Sequence, residues 1–512
     1  METVTITKAE YDRLVGEQAR LERQVEYLLE QMRLARHRQF GTSSEKSEYD
    51  LAQLNLFNEA EVMAAPKQPE PELVEVEKHY RKRTRLTTDK LPEDLPVEVI
   101  DYELPETEHV CEECGGKLHV MSRDVRRELV IVPAQAKIRE HRRAVYSCRC
   151  CETMNDHVPV RRAEMPKPVI AGSFASPEAV AHIMNQKFVM GVPLYRQEQE
   201  FQRGDLWLSR QTMSNWLLRV AEDWLEPLYK RFKTELLKHD VLHADETTVQ
   251  VLREPGKTAQ SKSYMWLYRT SGDTERPIVL YDYQTSRKAE HPQRLLEGWR
   301  GYLHADGYDG YHKLPEGVTV VGCLAHFRRK FDEALKSLPE EAREGSLAMA
   351  GKRYCDRLFE LERDFADLAP EERFEKRVQH SKPLLEELFA WSDSAKVVPK
   401  SPVGKAVHYA LSQRKYLERY LLDGRLEISN NRAERSIKPF VIGRKNWLFA
   451  NTPRGAKASA VIYSILETAK ENGLKPYDYL THIFRTAPNL DMHNPNHMKT
   501  LMPHHFKITA RA

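Results

Sequence analysis

The chain has 512 residues, of which 41% are hydrophobic, and its 79 Lys and Arg residues nearly balance its 76 Asp and Glu residues, leaving a net charge of +3. A chain of this length exceeds one ordinary hydrophobic core, so we expect several domains. The sequence has no run of about 18 apolar residues that could span a bilayer, and it begins without the apolar segment of a signal peptide. These features predict a cytoplasmic protein without a membrane partner. Because the net charge is small, it does not by itself indicate that the protein binds nucleic acid.

The first segment, residues 1–50, has apolar side chains at heptad spacing over residues 8–36, which predicts a short coiled-coil helix. One heptad position is occupied by Leu14, Leu21, Leu28 and Ala35. The other is occupied by Tyr11, Val25 and Met32. Gln18 interrupts the seam, so the helix either pairs with a second copy or packs against its own chain. Of these two we expect the homo-oligomer.

Residues 51–90 lose this periodicity and are predicted to form a linker that contains a basic run. The run extends from Lys78 to Arg85, and Arg81, Lys82 and Arg83 at its centre are candidate contacts to DNA phosphates. A solvated linker that binds nothing is the alternative explanation of the same residues.

Five of the seven cysteines cluster in the next segment, residues 91–165. A tetrahedral zinc ion takes four soft ligands from two turns, and paired cysteines in a chain without secretion signals favour such a site over disulfides. The predicted ligands of one structural Zn²⁺ are Cys111, Cys114, Cys148 and Cys151, with Cys150 as the alternative to Cys148.

Residues 166–235 show helical periodicity with a break that is typical of helix-turn-helix segments. Two predicted helices, residues 193–201 and 209–225, flank a turn that contains Gly204, and Ser209 is a candidate N-cap of the second helix. Early residues of that helix that suit base edges or phosphates are Arg210, Gln211 and Asn215. A helical hairpin without DNA contacts is the alternative.

From residue 236 to 331 the pattern changes to strands, which are expected to form the first part of a catalytic core. The predicted order is strands at 241–247, 264–268 and 278–281, a helical stretch near Leu295, strands ending in 302–308 and 318–321, and a helix after Cys323. This order, β-β-β-α-β-β-α, is that of the ribonuclease H fold. Asp245 and Asp306 are expected where strands leave the sheet, and reactive groups collect at such positions.

A third acid is expected because two aspartates rarely hold a pair of divalent cations against their hydration shells. Glu434 is the candidate, within a second part of the core at residues 426–484. Residues 332–425 have helical spacing and predict an inserted all-helical subdomain, and residues 485–512 are left as a C-terminal tail.

Each acid also has a structural explanation. Asp306-Gly307 is a common turn pair, Asp245 can end a hydrogen-bonded strand, and Asn431 with Glu434 has the spacing of a helix capping box. The three acids together with the strand order are more specific than any one of them.

These residues resemble the large transposase of the insertion sequence 66 family, a group of DDE transposases, over nearly the whole chain. The matching pieces are the leucine-repeat helix with Phe40-Gly41-Thr42-Ser43-Ser44-Glu45-Lys46, the run Leu91-Pro92-Glu93-Asp94-Leu95-Pro96, the two cysteine knuckles, Asp245-Glu246-Thr247, Asp306-Gly307-Tyr308-Asp309-Gly310-Tyr311, Cys323-Leu324-Ala325-His326 and Asn430-Asn431-Arg432-Ala433-Glu434-Arg435. The departures are the additional Cys150 and the residues after about 485, which match less clearly.

The resemblance implies that Asp245, Asp306 and Glu434 are the catalytic acids, and that accessory proteins of the same element act with the chain. Carboxylates suit two Mg²⁺ (or Mn²⁺) ions, and double-stranded DNA at the element ends and the target is the expected partner. Further candidate DNA contacts near the acids are His326, Arg329, Arg435, Lys438, Arg444 and Lys445. His326 and Arg329 suit contacts to phosphate or to the metal pocket, and a structural role is an equal alternative for His326.

Two other functions fit parts of the pattern. One is a DNA-binding regulator that is derived from a transposase and has lost catalysis. The other is a metal-dependent nuclease of the same fold that cuts DNA without joining it.

Overall fold

The computed structural model describes residues 99–100, 135–147 and 160–506. The described residues up to 164 and those from 165 onward belong to two separate compact units. The predicted coiled coil, the basic run around Arg81, Lys82 and Arg83, and the cysteine cluster lie outside the described residues. Within the described residues, no helix is both long and apolar enough to cross a membrane.

The described part of the first unit contains one small hairpin. Strands β1 (Val145–Ser147) and β2 (Val160–Arg162) pair antiparallel, with Val145 opposite Arg162. Arg143 Nε donates to Ala163 O at 2.6 Å and ties the strand ends together. The side chains of both strands are exposed, so the hairpin has no apolar face of its own in this part of the chain.

Four helices open the second unit: α1 (Pro177–Phe188), α2 (Leu194–Arg203), α3 (Arg210–Val220) and α4 (Glu226–Leu236), with a π-helical turn at Ala221–Leu225 between the last two. The predicted N-cap is confirmed, because Ser209 Oγ accepts from Thr212 N. Gly204 follows α2, so the predicted break between the two helices is also confirmed. The second predicted helix differs from the structure only in passing through the π-turn into α4.

A five-stranded mixed sheet forms the centre of this unit. Its strands are β3 (Val241–Gln250), β4 (Lys262–Thr270), β5 (Val279–Gln284), β6 (Gly301–His304) and β7 (Val318–Val321), in the spatial order β5-β4-β3-β6-β7. The first three strands are antiparallel neighbours, whereas β6 runs parallel to β3 and β7 runs parallel to β6. Helix α5 (Glu290–Leu295) connects β5 to β6, so the predicted order of strands and helix is confirmed.

The remaining helices are α6 (Leu324–Lys336), α7 (Leu347–Asp364), α8 (Pro370–Lys376), α9 (Lys382–Ser394), α10 (Pro402–Leu417), α11 (Asn431–Trp447), α12 (Pro453–Glu471), α13 (Pro476–Thr486) and α14 (Pro495–Thr500). Residues 487–505 continue on the folded unit, and Met492, Leu501 and Met502 are buried there. The chain beyond residue 485 therefore joins the core as far as it is described.

Both edges of the sheet are closed by hydrogen bonds from helical segments. At β5, Val279 N donates to Thr468 Oγ1 and Tyr281 N donates to Ser464 Oγ, both hydroxyls coming from α12. At β7, Arg419 Nη1 donates to Val320 O at 2.8 Å. Unpaired edge strands are templates for aggregation, so these contacts protect a sheet that would otherwise present two open edges.

One apolar core includes buried residues of the sheet, and a separate one lies among helices α6 to α10. Phe327, Phe331 and Leu388 are among the fully buried residues of the separate core. One charged side chain is buried beside it. Arg377, at the start of a π-helical turn after α8, donates from Nε and Nη2 to the two carboxylate oxygens of Glu362 at 2.8 and 2.6 Å. The same guanidinium donates to the backbone carbonyls of Tyr420, Asp423 and Leu426. Arg377 thereby anchors the segment between α10 and α11.

Candidate functional site

Two parallel strands bring the first two predicted acids to one end of the sheet. The last pair of β3 and β6 joins His243 to His304, whose rings stack with centroids 4.3 Å apart. Asp245 lies two residues beyond His243 and therefore faces the same side of β3. Asp306 lies two residues beyond His304, in the loop after β6. The expected position of Asp306 is confirmed, whereas Asp245 is the fifth residue of a ten-residue strand rather than its end.

Asp245 differs from the sequence expectation because β3 has two partners of different length. Its parallel pairing with β6 stops at His243, but its antiparallel pairing with β4 continues to Gln250. The carboxyl group thus lies where one neighbour ends and the other continues. Such a gap beside a parallel strand leaves room for side chains to converge while the strand itself stays rigid.

The neighbouring acids act electrostatically on Asp245. Burial raises the pKa of Asp245 well above its usual range, and the negative charges of Glu246, Asp306 and Glu434 raise it further. Asp245 Oδ1 accepts from Glu246 N at 2.8 Å, which offsets part of this effect. Asp306 Oδ1 accepts from Tyr308 N at 3.0 Å, so the turn that holds it is hydrogen-bonded. Three carboxyl groups from distant parts of the sequence therefore share one electrostatic environment.

Asn430 fixes the helix that carries the third acid. Its Nδ2 donates to Ala244 O at 2.7 Å, and its backbone N donates to Cys323 Sγ at 3.1 Å. Because the amide nitrogen is engaged with Ala244, Asn430 Oδ1 accepts from His243 Nδ1 at 3.0 Å. Burial lowers the pKa of His243 to about 3, so its ring is neutral. One buried side chain thus joins β3, the start of α6 and the start of α11.

Glu434 lies in the first turn of α11, on the helix that Asn430 positions. Its Oε2 accepts from Arg329 Nη2 at 3.3 Å. Its Oε1 is buried and has no hydrogen-bond partner within the part of the chain that the structure describes. The capping-box alternative is not observed, because neither carboxylate oxygen accepts from the Asn431 backbone amide.

A second group of side chains lies around Glu246, and none of its members is a predicted site residue. Arg287 Nε donates to Glu246 Oε1 at 2.7 Å, and Tyr311 Oη donates to Glu246 Oε2 at 2.6 Å. The Arg287 guanidinium lies over the Tyr308 ring at 4.0 Å, and its Nη2 is 3.8 Å from Asp306 Oδ2. Burial raises the pKa of Glu246, while Tyr311 and Arg287 lower it. Three members had a sequence signal, since Glu246 follows Asp245 and both Tyr308 and Tyr311 lie in the motif that begins at Asp306, whereas nothing in the sequence marks Arg287.

The predicted DNA contacts fall into different environments. In α3, Arg210, Gln211 and Asn215 are exposed, and Gln211 Nε2 donates to Asn215 Oδ1. In α11, Arg435 and Lys445 are exposed.

Other predicted contacts are engaged within the protein. Lys438 is half-buried, and Arg444 Nη1 donates to Thr247 Oγ1 and Thr248 Oγ1 at 3.3 and 3.1 Å. Arg329 and His326 lie beside Glu434, with His326 Nε2 at 3.8 Å from Glu434 Oε1. Burial lowers the pKa of His326, and Glu434 raises it.

Several side chains here are of the types that bind divalent cations. Asp245, Asp306 and Glu434 offer carboxylate oxygens, the ligands that Mg²⁺ prefers, and Glu434 Oε1 is a buried oxygen without a donor. A carboxylate whose pKa is raised by burial and by other acids is stabilised when a cation binds it. Beside these acids, Cys323, His326 and Glu434 place one possible ligand atom each within 4.8 Å of one another.

The sequence matches four profiles of protein families. The profile of the Transposase IS66 family matches residues 172–458, more than half of the chain. Three further profiles match along the sequence: Transposase C of IS166 homeodomain at residues 27–100, the zinc-finger binding domain of transposase IS66 at 108–152, and the IS66 C-terminal element at 464–504. These matches place the chain among the transposases of insertion sequences. Within that class it belongs to the IS66 transposase family.

Three proteins of Sinorhizobium fredii are similar over most of the chain. Protein y4hP is 30% identical over 440 residues, which is 82% of this chain and 77% of y4hP. Protein y4qI is 32% identical over 431 residues, 81% of this chain and 76% of y4qI. Protein y4jD is 30% identical over 433 residues, 81% of each chain. All three are described as uncharacterized, so they support the family and not a particular activity.

Proposed function

We propose that the chain is a DDE transposase that cuts DNA at the ends of an insertion sequence and joins those ends to target DNA. Asp245, Asp306 and Glu434 are the proposed catalytic acids and the ligands of two Mg²⁺ or Mn²⁺ ions. The observation that carries the proposal is electrostatic: Asp306 and Glu434, 61 and 189 positions beyond Asp245 in the sequence, both act on its carboxyl group. Membership of a transposase family supports DNA as the substrate of that acid cluster.

The sheet supports a ribonuclease H-like core as the proposed fold. The elements follow the chain order that the sequence predicted, three strands, a helix, two strands and a helix. The sheet in addition has three antiparallel strands followed by two parallel ones, with the first strand central. In this proposal the core consists of residues 236–331 and 426–484, and the helical subdomain at 332–425 is an insertion. The segment anchored by Arg377 then returns the chain from the insertion to Glu434.

The chemistry consists of two phosphoryl transfers. Water first attacks a phosphodiester at the element end, breaks the bond between phosphorus and the 3′ oxygen, and releases its proton to solvent. The freed 3′ hydroxyl then attacks a target phosphodiester and displaces the target's own 3′ oxygen. One phosphodiester forms for each that breaks in the second step, so no external energy source is needed. When bound, the two cations would activate the nucleophile and stabilise the leaving oxygen.

The protein's own side chains hold the acids and the DNA in this proposal. Asn430 keeps Glu434 against β3, and Arg287 lies where its guanidinium can meet a phosphate beside Asp306. Exposed Arg435 and Lys445 are proposed phosphate contacts along α11. Arg210, Gln211 and Asn215 are exposed on α3, where a helix-turn-helix segment at 166–235 would contact the element ends.

The segments before residue 99 contribute the remaining proposals. We propose that the leucine-repeat helix joins two copies of the chain, that Arg81, Lys82 and Arg83 contact phosphates, and that accessory proteins of the same element take part. The transposase works on cellular DNA, so its proposed location is the cytoplasm. The family match over residues 27–100 supports a place for this segment in a transposase.

The cysteine cluster is proposed to hold one structural zinc ion. The zinc-finger match at residues 108–152 contains Cys111, Cys114, Cys148 and Cys151. We expect about one zinc ion per purified chain by plasma mass spectrometry, and clearly less in a Cys111→Ser variant. A folded wild-type preparation without zinc contradicts this assignment.

Strand joining is the experiment that separates a transposase from its rivals. The full-length chain is incubated with Mg²⁺, a supercoiled plasmid and a duplex that ends in a pre-cleaved element end carrying a 3′ hydroxyl. We expect covalent joining of the duplex to the plasmid. A matched duplex with a 3′-dideoxy end should not join, because it lacks the nucleophile.

The other outcomes identify other functions. Hydrolysis of element ends without joined product indicates a nuclease of the same fold. Binding of the ends with neither cleavage nor joining indicates a regulator derived from a transposase.

A further inference from the structure

The start of α6 places a histidine against the third acid of the proposed site. His326 Nε2 lies 3.8 Å from Glu434 Oε1, which is too far for a hydrogen bond. Glu434 Oε1 is also buried and without a hydrogen-bond partner among the described residues. His326 Nε2 and Glu434 Oε1 therefore lie close together without a hydrogen bond between them.

The width of the gap between these two atoms suits one shared cation. Bonds from a divalent transition metal to imidazole nitrogen and carboxylate oxygen are about 2.0–2.2 Å, so two ligands of one ion lie about 3 Å apart at a right angle and about 4.2 Å apart when opposite. The separation of 3.8 Å falls inside this range. The other oxygen of Glu434 is held by Arg329, which leaves Oε1 as the oxygen that faces the gap.

Cys323 is near but has another role. Its sulfur lies within 4.8 Å of the His326 and Glu434 ligand atoms, yet it accepts from Asn430 N and is fully buried. This hydrogen bond holds the start of α6 against the start of α11. Cys323 thus positions the two helices that bring His326 and Glu434 together.

We propose that His326 is a nitrogen ligand of the cation that Glu434 binds, and that this nitrogen makes the position select Mn²⁺ over Mg²⁺. The proposal rests on the acid cluster being a divalent-cation site. Imidazole is a common ligand of transition metals, whereas Mg²⁺ sites use oxygen and water. With one nitrogen ligand, the cation position at Glu434 would therefore differ in metal preference from a position that only carboxylates line.

The test uses MnCl₂ as the probe on the zinc-loaded, full-length chain grown with ¹⁵N-labelled histidine. Pulsed electron paramagnetic resonance detects nitrogen coordinated to Mn²⁺, and the isotope identifies it as histidine. We expect a ¹⁵N coupling in the wild type, its loss in His326→Gln, and its retention in His408→Gln, since His408 is an exposed residue of α10. In His326→Gln the affinity for Mn²⁺ should fall about 10-fold or more while that for Mg²⁺ changes little.

The outcomes separate this proposal from the one on which it rests. Mn²⁺ that binds without histidine coupling, and whose binding is lost in Glu434→Gln, overturns the role of His326 and leaves the acid site standing. Histidine coupling that persists in His326→Gln also overturns it. If wild-type protein binds no Mn²⁺ outside its zinc site, both proposals fail. A wild-type spectrum without histidine coupling overturns the proposal even if a variant fails to fold.

Discussion

The Asp245→Asn variant is expected to lose DNA cleavage and strand joining by at least about 10³-fold while still binding element ends. Replacing the carboxylate removes a cation ligand, and a cation that stabilises developing charge contributes several kcal/mol to the barrier, with about 1.4 kcal/mol per tenfold in rate. The side chain is nearly isosteric, so the fold and the exposed DNA contacts stay intact. Single-turnover cleavage of a labelled element end measures the loss, and a gel-shift assay measures binding.

The matched control is Asp309→Asn, three residues beyond Asp306. The Asp309 side chain is 86% exposed, so its replacement should leave cleavage within about 3-fold of wild type. Equal cleavage by wild type and Asp245→Asn contradicts the assignment of Asp245. A loss of DNA binding equal to the loss of cleavage indicates that the variant acts on the fold instead.

The same variant has a stability signature that does not depend on DNA. The pKa of Asp245 is raised in the folded chain, so its ionised form destabilises the fold relative to an unfolded chain, where the pKa is about 3.9. Below that pH the carboxyl is protonated in both states and does not lower the free energy of unfolding. As pH rises from there through the raised folded pKa, the wild type loses stability that the Asn variant keeps.

Thermal unfolding without added Mg²⁺ or Mn²⁺ measures this difference. At pH 7 the Asp245→Asn variant should melt above the wild type, and the gap should shrink as the pH falls toward about 4. Adding Mn²⁺ should raise the melting temperature of the wild type more than that of the variant. A variant that melts below the wild type at pH 7 contradicts the account in which burial and neighbouring negative charge raise the pKa of Asp245.

Arg377→Ala is expected to lower the free energy of unfolding by about 3–5 kcal/mol. Removing one partner of a buried ion pair leaves the other charge without compensation, and here Glu362 is only 11% exposed. The variant also leaves the carbonyls of Tyr420, Asp423 and Leu426 without their shared donor. Urea unfolding followed by fluorescence measures the change.

The exposed pair of Arg357 with Glu360 supplies the control. Both side chains are about half exposed, at 58% and 49%, so Arg357→Ala should change stability by less than about 0.5 kcal/mol. An effect of Arg377→Ala as small as that of the control contradicts the anchoring role of Arg377. Because Arg377 also holds the segment before α11, the destabilised variant should lose catalytic activity before it unfolds.

The strands could be predicted because their signal is local. The β-branched run at 318–321 is bounded by Gly317 and Gly322, and the structure places a strand at those residues. Ser209 was predictable as an N-cap for the same reason, since its hydroxyl bonds to an amide three residues away. The family resemblance, confirmed by four profile matches, extended these local signals to the whole chain.

The arrangement of the site depends on contacts that no local pattern contains. Asn430 bonds to Ala244 across 186 positions, and Arg269 donates to Glu471 across 202. Arg287 was not predicted because nothing in its neighbourhood marks it as a partner of Glu246 or Asp306. Asp245 was expected at a strand end because the sequence does not show that β4 is longer than β6.

The central claim is that three carboxyl groups share one pair of divalent cations. Anomalous diffraction at the manganese edge, from crystals of the chain with element-end DNA and Mn²⁺, tests it most directly. We expect two manganese peaks among the carboxylates of Asp245, Asp306 and Glu434, with His326 contacting the one bound by Glu434. Manganese bound elsewhere, with the three carboxylates directed to separate parts of the molecule, would contradict the proposed active site.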